Sequence, residues 1–214
     1  MFNKFKAVLF DLDGTLVDSM TMWKDIDVEY LNQYNISVPA TLQKDIEGLT
    51  MEQTAHYFKN TFNIPDSIEN IMSVWNRMAY DKYTNEVPMK PFAREFLNRL
   101  KECHIPCAIA TSNSRILTEA ILKSHQIEDY FQALVTGDDV THGKPAPDVY
   151  LKAASCLGIA PEDCLVFEDI PFGIMAGKRA GMTVYAVEDA YSMKDKEEKI
   201  RLSDAYVMSY EELL

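Results

Sequence analysis

The sequence predicts an α/β fold: a three-layer core on a parallel sheet, interrupted early by an all-helical insert. From residue 89 onward short apolar runs alternate with helix-period segments, the pattern of parallel strands joined by crossover helices. From residue 19 to about 85 strand signals vanish and apolar residues recur at helical spacing instead. The length, 214 residues, suits one large domain or one domain carrying a smaller insert.

The expected strands are 6–10, 106–110, 133–136, 165–167 and 183–187, with a weaker sixth at 205–208. Helix punctuation separates them. Phe92, Phe96, Leu97 and Leu100 share one face of the first core helix, and Ser114 is placed to cap the next, through Leu122. Pro147 falls at the first turn of a third helix and Gly158 at its stop, while Pro171 and Gly181 bracket a fourth. Within the insert, Trp23, Ile26, Tyr30 and Tyr34 recur at three- and four-residue spacing. Thr50-Met51-Glu52-Gln53 has the form of a capping box opening a helix to about Phe62. Asp66 and Glu69 can open another to about Tyr83. Connectors near 15–19 and 84–88 divide the chain into a core, 1–17 and 89–214, and a helical cap, 18–88. A single α+β domain is the alternative.

Charge narrows the partners. The net charge is −12, which argues against nucleic acid and against a surface drawn to anionic lipid. The insert holds five basic and eleven acidic residues, half of the excess on a third of the chain. No apolar run approaches the roughly 20 residues of a membrane helix. The start, Met1-Phe2-Asn3-Lys4-Phe5-Lys6, looks like a basic leader, but its apolar stretch stops at Asp11 and is too short for a signal peptide. Cys103, Cys107, Cys156 and Cys164 form no C-x-x-C pair, so they are read as reduced, mostly packing thiols of a cytoplasmic protein. A monomer is the default expectation.

Chemistry concentrates at strand ends. The first strand runs into Asp11-Leu12-Asp13-Gly14-Thr15. Two carboxylates at the mouth of a buried strand are costly unless something neutralises them. A calcium loop counted from Asp11 would need Gly and Glu at positions 16 and 22, where Leu16 and Met22 stand. The second strand ends in Thr111-Ser112-Asn113, before a helix start that favours an anion. Lys144 sits between Gly143 and Pro145 on a stiff loop, and the fourth strand ends in Glu168-Asp169. Each segment alone has a plain structural explanation as a helix cap or a solvated lysine. Together they supply Asp11, Asp13, Thr111, Lys144, Glu168 and Asp169 to the end of a parallel sheet where ligands bind. An all-oxygen acidic cluster suits Mg²⁺, and a lysine with hydroxyls suits a phosphoryl group.

These four motifs, in this order, resemble the haloacid dehalogenase superfamily of phosphotransferases. The run Gly-Lys-Pro-Ala-Pro-Asp at 143–148 and the pattern Glu168-Asp169…Gly173…Ala176-Gly177…Ala180-Gly181-Met182 look like its β-phosphoglucomutase and small-metabolite phosphatase subgroup. The resemblance implies a Rossmann-like core, a helical cap and a Mg²⁺-dependent phosphatase acting on a small phosphorylated metabolite, a sugar phosphate or similar. It also implies Asp11 as nucleophile forming an aspartyl-phosphate, and Asp13 as acid and base. Mg²⁺ would be held by Asp11, the Asp13 carbonyl and Asp169, with Glu168 acting through metal-bound water. Thr111, the Ser112 N–H and Lys144 would hold the phosphoryl oxygens.

The nearest rival is a sugar-phosphate mutase. Those enzymes resemble this chain but carry a cap histidine and a phosphate-binding arginine where Trp23 and Met51 stand, so water is the favoured acceptor. A receiver-like switch is about half this length and lacks the insert, and a degenerate phosphate-binding module fits poorly with every catalytic position filled. Met20, Trp23 and Met51 are candidates for lining the site, but Met and Trp at helical spacing ordinarily pack a core, and that reading is adopted.

Overall fold

Among residues 4–214, which the computed structural model describes, strands β1 (Ala7–Phe10), β2 (Cys107–Ala110), β3 (Phe131–Val135), β4 (Cys164–Glu168), β5 (Thr183–Val187) and β6 (Ala205–Val207) form one sheet. Their order is β3-β2-β1-β4-β5-β6 and every pair is parallel. Every residue of β1, β2 and β4 is buried, which explains their unbroken apolar runs: a parallel strand covered on both faces has no polar side to alternate with. The edge strand β3 starts two residues earlier than the sequence predicts. Exposed Gln132 hides it, and the Gln132 amide oxygen accepts from the Cys107 N–H where the β2–β3 register shifts.

Alternate residues of each strand serve opposite layers. Val8 and Phe10 pack toward α5 (Ala93–Glu102) and α6 (Arg115–Ser124), whereas Ala7 and Leu9 pack toward α7 (Asp148–Leu157) and α8 (Pro171–Arg179). This is the expected α/β core with helices on both faces. Phe92 is a correction: it sits outside the buried face of α5, partly exposed in a left-handed backbone conformation at the N-cap. Ser114 caps α6 through a bond from the Leu117 N–H, and left-handed Gly158 ends α7. Pro147 is the residue before α7 rather than its first turn. Of the four thiols, Cys107 and Cys164 are buried but Cys156 is exposed, so packing accounts for fewer of them than expected.

Between β1 and α5 the chain forms helices α1 (Met20–Asn32), α2 (Leu42–Asp45), α3 (Met51–Phe62) and α4 (Ile68–Asn85). The two connecting segments run side by side, with Asp18 N donating to Pro88 O at 3.0 Å and Lys90 N to Leu16 O at 2.8 Å. Trp75 meets Tyr30 and Phe58 edge-on, with the Phe58 and Trp75 ring centres 4.9 Å apart, and Tyr30 lies tilted against Phe58. The apolar cluster on the α5/α6 face continues into this group. Thr50 forms the full capping box with Gln53, as the sequence predicts. The opening of α4 differs: Ser67 is its N-cap, receiving the Asn70 N–H at 3.2 Å, while Asp66 accepts from the Tyr34 hydroxyl instead. No helix among the described residues is long and apolar enough to cross a membrane, and Met1–Asn3, the first three residues of the basic start, lie outside those residues.

The Ser67 cap sets a direct test. Ser67→Ala should cost about 1 kcal/mol and lower Tm by about 2–4 °C, whereas Glu69→Ala should cost less, since the first-turn carboxylate it removes is fully exposed to water. Thermal melts of both variants check the order.

Candidate functional site

The sheet order places β1 between β2 and β4, and the chain changes direction across the β1–β4 pair. Such a switch point leaves a crevice beyond the strand ends. The residues that follow the strands continue the ladder: Asp11 N donates to Phe167 O and Thr111 N to Val135 O, each at 3.0 Å. Asp11, Thr111 and Glu168 are therefore fixed by strand pairing, Asp169 follows with its N–H on the Glu168 carboxylate, and all four are buried.

Lys144 enters from the loop before α7 and is itself buried. Its ammonium donates to Asp11 Oδ1 at 2.5 Å and to Glu168 Oε1. Glu168 Oε1 also accepts from the Tyr150 hydroxyl at 2.9 Å, and Oε2 accepts the Asp169 and Ile170 N–H groups at 2.8 and 3.1 Å. Burial opposes the Lys144 charge, but Asp11 and Glu168 outweigh it and hold the ammonium protonated. Burial, with Glu168 and Asp13 adding to it, raises Asp11 against the pull of Lys144. Asp169 is raised well above the carboxylate range by burial and by Glu168, Asp11 and Asp189.

Asp169 Oδ1 accepts from Thr15 Oγ1 at 3.0 Å, but its Oδ2 is buried without a partner. Asp11, Glu168 and Asp169 each bring one carboxylate oxygen within 4.8 Å of the others. A buried, all-oxygen, under-neutralised cluster with an orphaned acceptor fits a small hard cation such as Mg²⁺. Two glycines make room. Gly14 has φ +79, and a Cβ there would stand 2.2 Å from Asp169 Oδ2; one on Gly173 would stand 1.8 Å from Glu168 Oε1.

Asp13 faces the helices of the insert. Its Oδ1 accepts from Ser19 Oγ at 2.5 Å, from Trp23 Nε1 at 3.0 Å and from the Tyr83 hydroxyl, and its Oδ2 accepts from Asn113 Nδ2 at 3.0 Å. The Tyr83 hydroxyl is raised well above its ordinary value, first by burial and then by Asp13. Trp23 packs against the apolar core as the sequence reading expects, and its indole N–H also reaches a predicted site residue. Met20 and Met51 border the same cavity. Ser112 Oγ donates to Gly48 O at 3.2 Å, joining the β2 end to the insert.

A cavity of about 200 Å³ opens among these groups, bordered by Asp11, Asp13, Thr111, Ser112, Lys144 and Asp169. Glu168 lies behind Lys144, outside that wall. A family model for haloacid dehalogenase-like hydrolases matches residues 8–187, from β1 through β5. The chain belongs to that family. It is 33% identical over 186 residues to hexitol phosphatase A of Escherichia coli, covering 85% of this chain and 82% of that one. It is 34% identical over 183 residues to the bifunctional riboflavin kinase/FMN phosphatase of Arabidopsis thaliana, covering 85% of this chain but spanning only 48% of that relative's length. The crystal structure of CbbY from Rhodobacter sphaeroides in complex with phosphate shares the fold, with a TM-score of 0.86 at 22% identity over 98% of this chain and 96% of that one.

Several residues of this haloacid dehalogenase-like hydrolase escape sequence reasoning. Tyr83 and Tyr150 each look like an ordinary helix aromatic. Lys199 reads as a surface lysine of α9 (Lys196–Leu202), yet it is fully buried and donates to Ser192 Oγ at 2.8 Å, which in turn donates to Asp169 O at 2.8 Å. Asn113 was visible in the Thr-Ser-Asn string, but only the fold shows it touching Asp13.

Asp27 borders the cavity from α1 and is 7% exposed, and Gln43 Nε2 donates to its Oδ2 at 2.8 Å. Burial pushes it up to about 6, only partly offset by Gln43. A carboxyl raised from 3.8 to about 6 binds its proton more tightly when folded. It is least harmful to stability below pH 4, and its penalty grows as pH rises through 6. Asp27→Asn should therefore stabilise the protein by about 1–3 kcal/mol at pH 7.5, with the gain disappearing below pH 4. Denaturant melts across that range measure it.

Proposed function

We propose that the protein is a phosphatase that hydrolyses a small phosphomonoester through an aspartyl-phosphate on Asp11, with a cap formed by residues 18–88. The observation that carries this reading is the single cavity wall shared by the Asp11 carboxylate, the Lys144 ammonium and the Thr111 and Ser112 groups. The phosphatase names of its relatives support the same reaction class.

In the first step an Asp11 oxygen attacks phosphorus, the bond from phosphorus to the leaving oxygen breaks, and protonated Asp13 gives that oxygen its proton. In the second, Asp13 takes a proton from water, the water oxygen attacks phosphorus, and inorganic phosphate leaves as the Asp11 carboxylate is restored. Lys144, the Thr111 hydroxyl and the Ser112 N–H hold the phosphoryl oxygens. Asp11, the Asp13 backbone carbonyl and Asp169 are the residues that would hold Mg²⁺. When bound, that ion supplies positive charge to offset the phosphoryl oxygens.

Glu168 has both oxygens engaged by four protein donors, so we assign it to aiming Lys144 rather than to metal-bound water. Trp23, Tyr83, Ser19 and Asn113 orient Asp13. Three of those four lie on the stretch between β1 and α5, so the acid–base group is complete only with that region packed against the core. It also shields the site from bulk water.

Asp11→Asn should lower phosphate release by on the order of 10³-fold or more while leaving the fold intact; near wild-type turnover would refute the assignment of the nucleophile. Wild-type activity on a panel of phosphomonoesters should collapse on adding a chelator and return with excess Mg²⁺. Undiminished release in the chelator would remove the metal from the reading.

A further inference from the structure

Asp169 carries the orphaned Oδ2 of the acidic cluster, and the peptide unit that follows it is held at both ends. Its N–H, on Ile170, donates to Glu168 Oε2 at 3.1 Å, and its carbonyl, on Asp169, accepts from Ser192 Oγ at 2.8 Å. A trans peptide is planar and points these two groups in opposite directions, so Glu168 and Ser192 grip it from opposite sides. Ser192 in turn accepts from the Lys199 ammonium at 2.8 Å. An ammonium has donors alone, so Ser192 Oγ must accept from it, and the single hydroxyl proton is left for the Asp169 carbonyl. The relay runs one way, from Lys199 to the backbone of Asp169.

Supporting a loop does not by itself call for a lysine. Lys199 is fully buried, and its contacts are the Ser192 hydroxyl, the Val187 carbonyl at 3.2 Å and the Tyr206 ring centre at 5.5 Å rather than a carboxylate. A buried ammonium without a bonded counter-charge is destabilising. Burial pulls its pKa down, and Asp169, followed by Asp189 and Glu168, pulls the other way. Two of the three charges that favour the Lys199 ammonium therefore belong to the acidic cluster itself. The loop bearing Ser192 is anchored as well. Asp189 Oδ1 accepts the Tyr191 N–H at 2.9 Å, and its Oδ2 accepts from Lys90 in the connector before α5.

We infer that Lys199, acting through Ser192, is a positioning residue for the cation site: it clamps the peptide after Asp169 against Glu168 and so holds the Asp169 carboxylate within reach of Asp11 and Glu168. The inference rests on the Mg²⁺-dependent phosphatase reading and adds to it a residue from outside the four motifs at the strand ends. Lys199 does not border the cavity. Loss of the relay should therefore loosen Mg²⁺ rather than slow the chemistry of the loaded enzyme.

Calorimetric titration of the full chain with Mg²⁺, after chelation, reads the affinity directly, alongside the Mg²⁺ activation constant for p-nitrophenyl phosphate hydrolysis. Lys199→Met and Ser192→Ala should each weaken Mg²⁺ about tenfold by both measures, with kcat at saturating Mg²⁺ within about threefold of wild type. Because the two residues act in one relay, the double variant should lose less than the product of the single losses. Ser203→Ala is the structural control. Ser203 Oγ donates to Lys199 O at 2.7 Å, so its loss loosens α9 without breaking the relay, and Mg²⁺ affinity should match wild type at a lowered Tm. Ser192→Ala, which removes a single oxygen, tests the relay where Lys199→Met fails to fold. Unchanged Mg²⁺ affinity in either relay variant, or an equal loss in Ser203→Ala, overturns the positioning role and leaves the metal reading standing. A wild type that neither binds Mg²⁺ nor loses activity in chelator overturns the metal reading and this inference with it.

Discussion

One buried ammonium ties the functional end of this molecule together. Lys144 bridges Asp11 at the end of β1 and Glu168 at the end of β4, two neighbouring strands whose carboxylates would otherwise repel at close range in a dry environment. Removing one partner from a buried pair leaves an uncompensated charge and typically costs 3–5 kcal/mol. The bridge is thus a structural constraint as well as a chemical one. Tyr150 and two backbone amides complete the shell around Glu168, so the position of the ammonium is set by α7 and by the first turn after β4 together.

The same constraint explains what surrounds it. Gly14 and Gly173 carry no side chain because Asp169 and Glu168 occupy the space where one would be. Thr15 holds one oxygen of Asp169, and buried Lys199 acts on its backbone through Ser192. One ammonium at the centre still leaves three buried carboxyls under-neutralised, with Asp169 Oδ2 unmet. That imbalance is the strongest physical argument for a cation at this place, and for a phosphoryl group whose charge the cation would offset.

Charge also divides the cavity into two unlike halves. Around Asp11 a lysine, hydroxyls and backbone donors face an incoming anion. On the opposite wall carboxylates dominate, and Asp27 sits there at a cost to folding. The acidic balance of the whole chain, −12, therefore does not oppose an anionic substrate uniformly, because a buried lysine and hydroxyls gather beside Asp11 while carboxylates border the rest of the cavity.

The alternation of short apolar runs with helix-period segments was enough to determine the parallel sheet, because a strand buried on both faces is apolar along nearly its whole length. The Asp11, Thr111, Lys144 and Glu168-Asp169 motifs were legible because strand ends in such a sheet converge by topology alone, and the capping box at Thr50 because its bonds are local. Tertiary structure decided the rest. Tyr83 meets Asp13 across 70 positions, Tyr150 meets Glu168 across 18, and Asp27 and Glu47 come to share one cavity with Asp11. Nothing in their local sequence distinguishes them from ordinary helix or turn residues. Their roles arise from packing between elements distant in the chain, which a one-dimensional pattern does not encode.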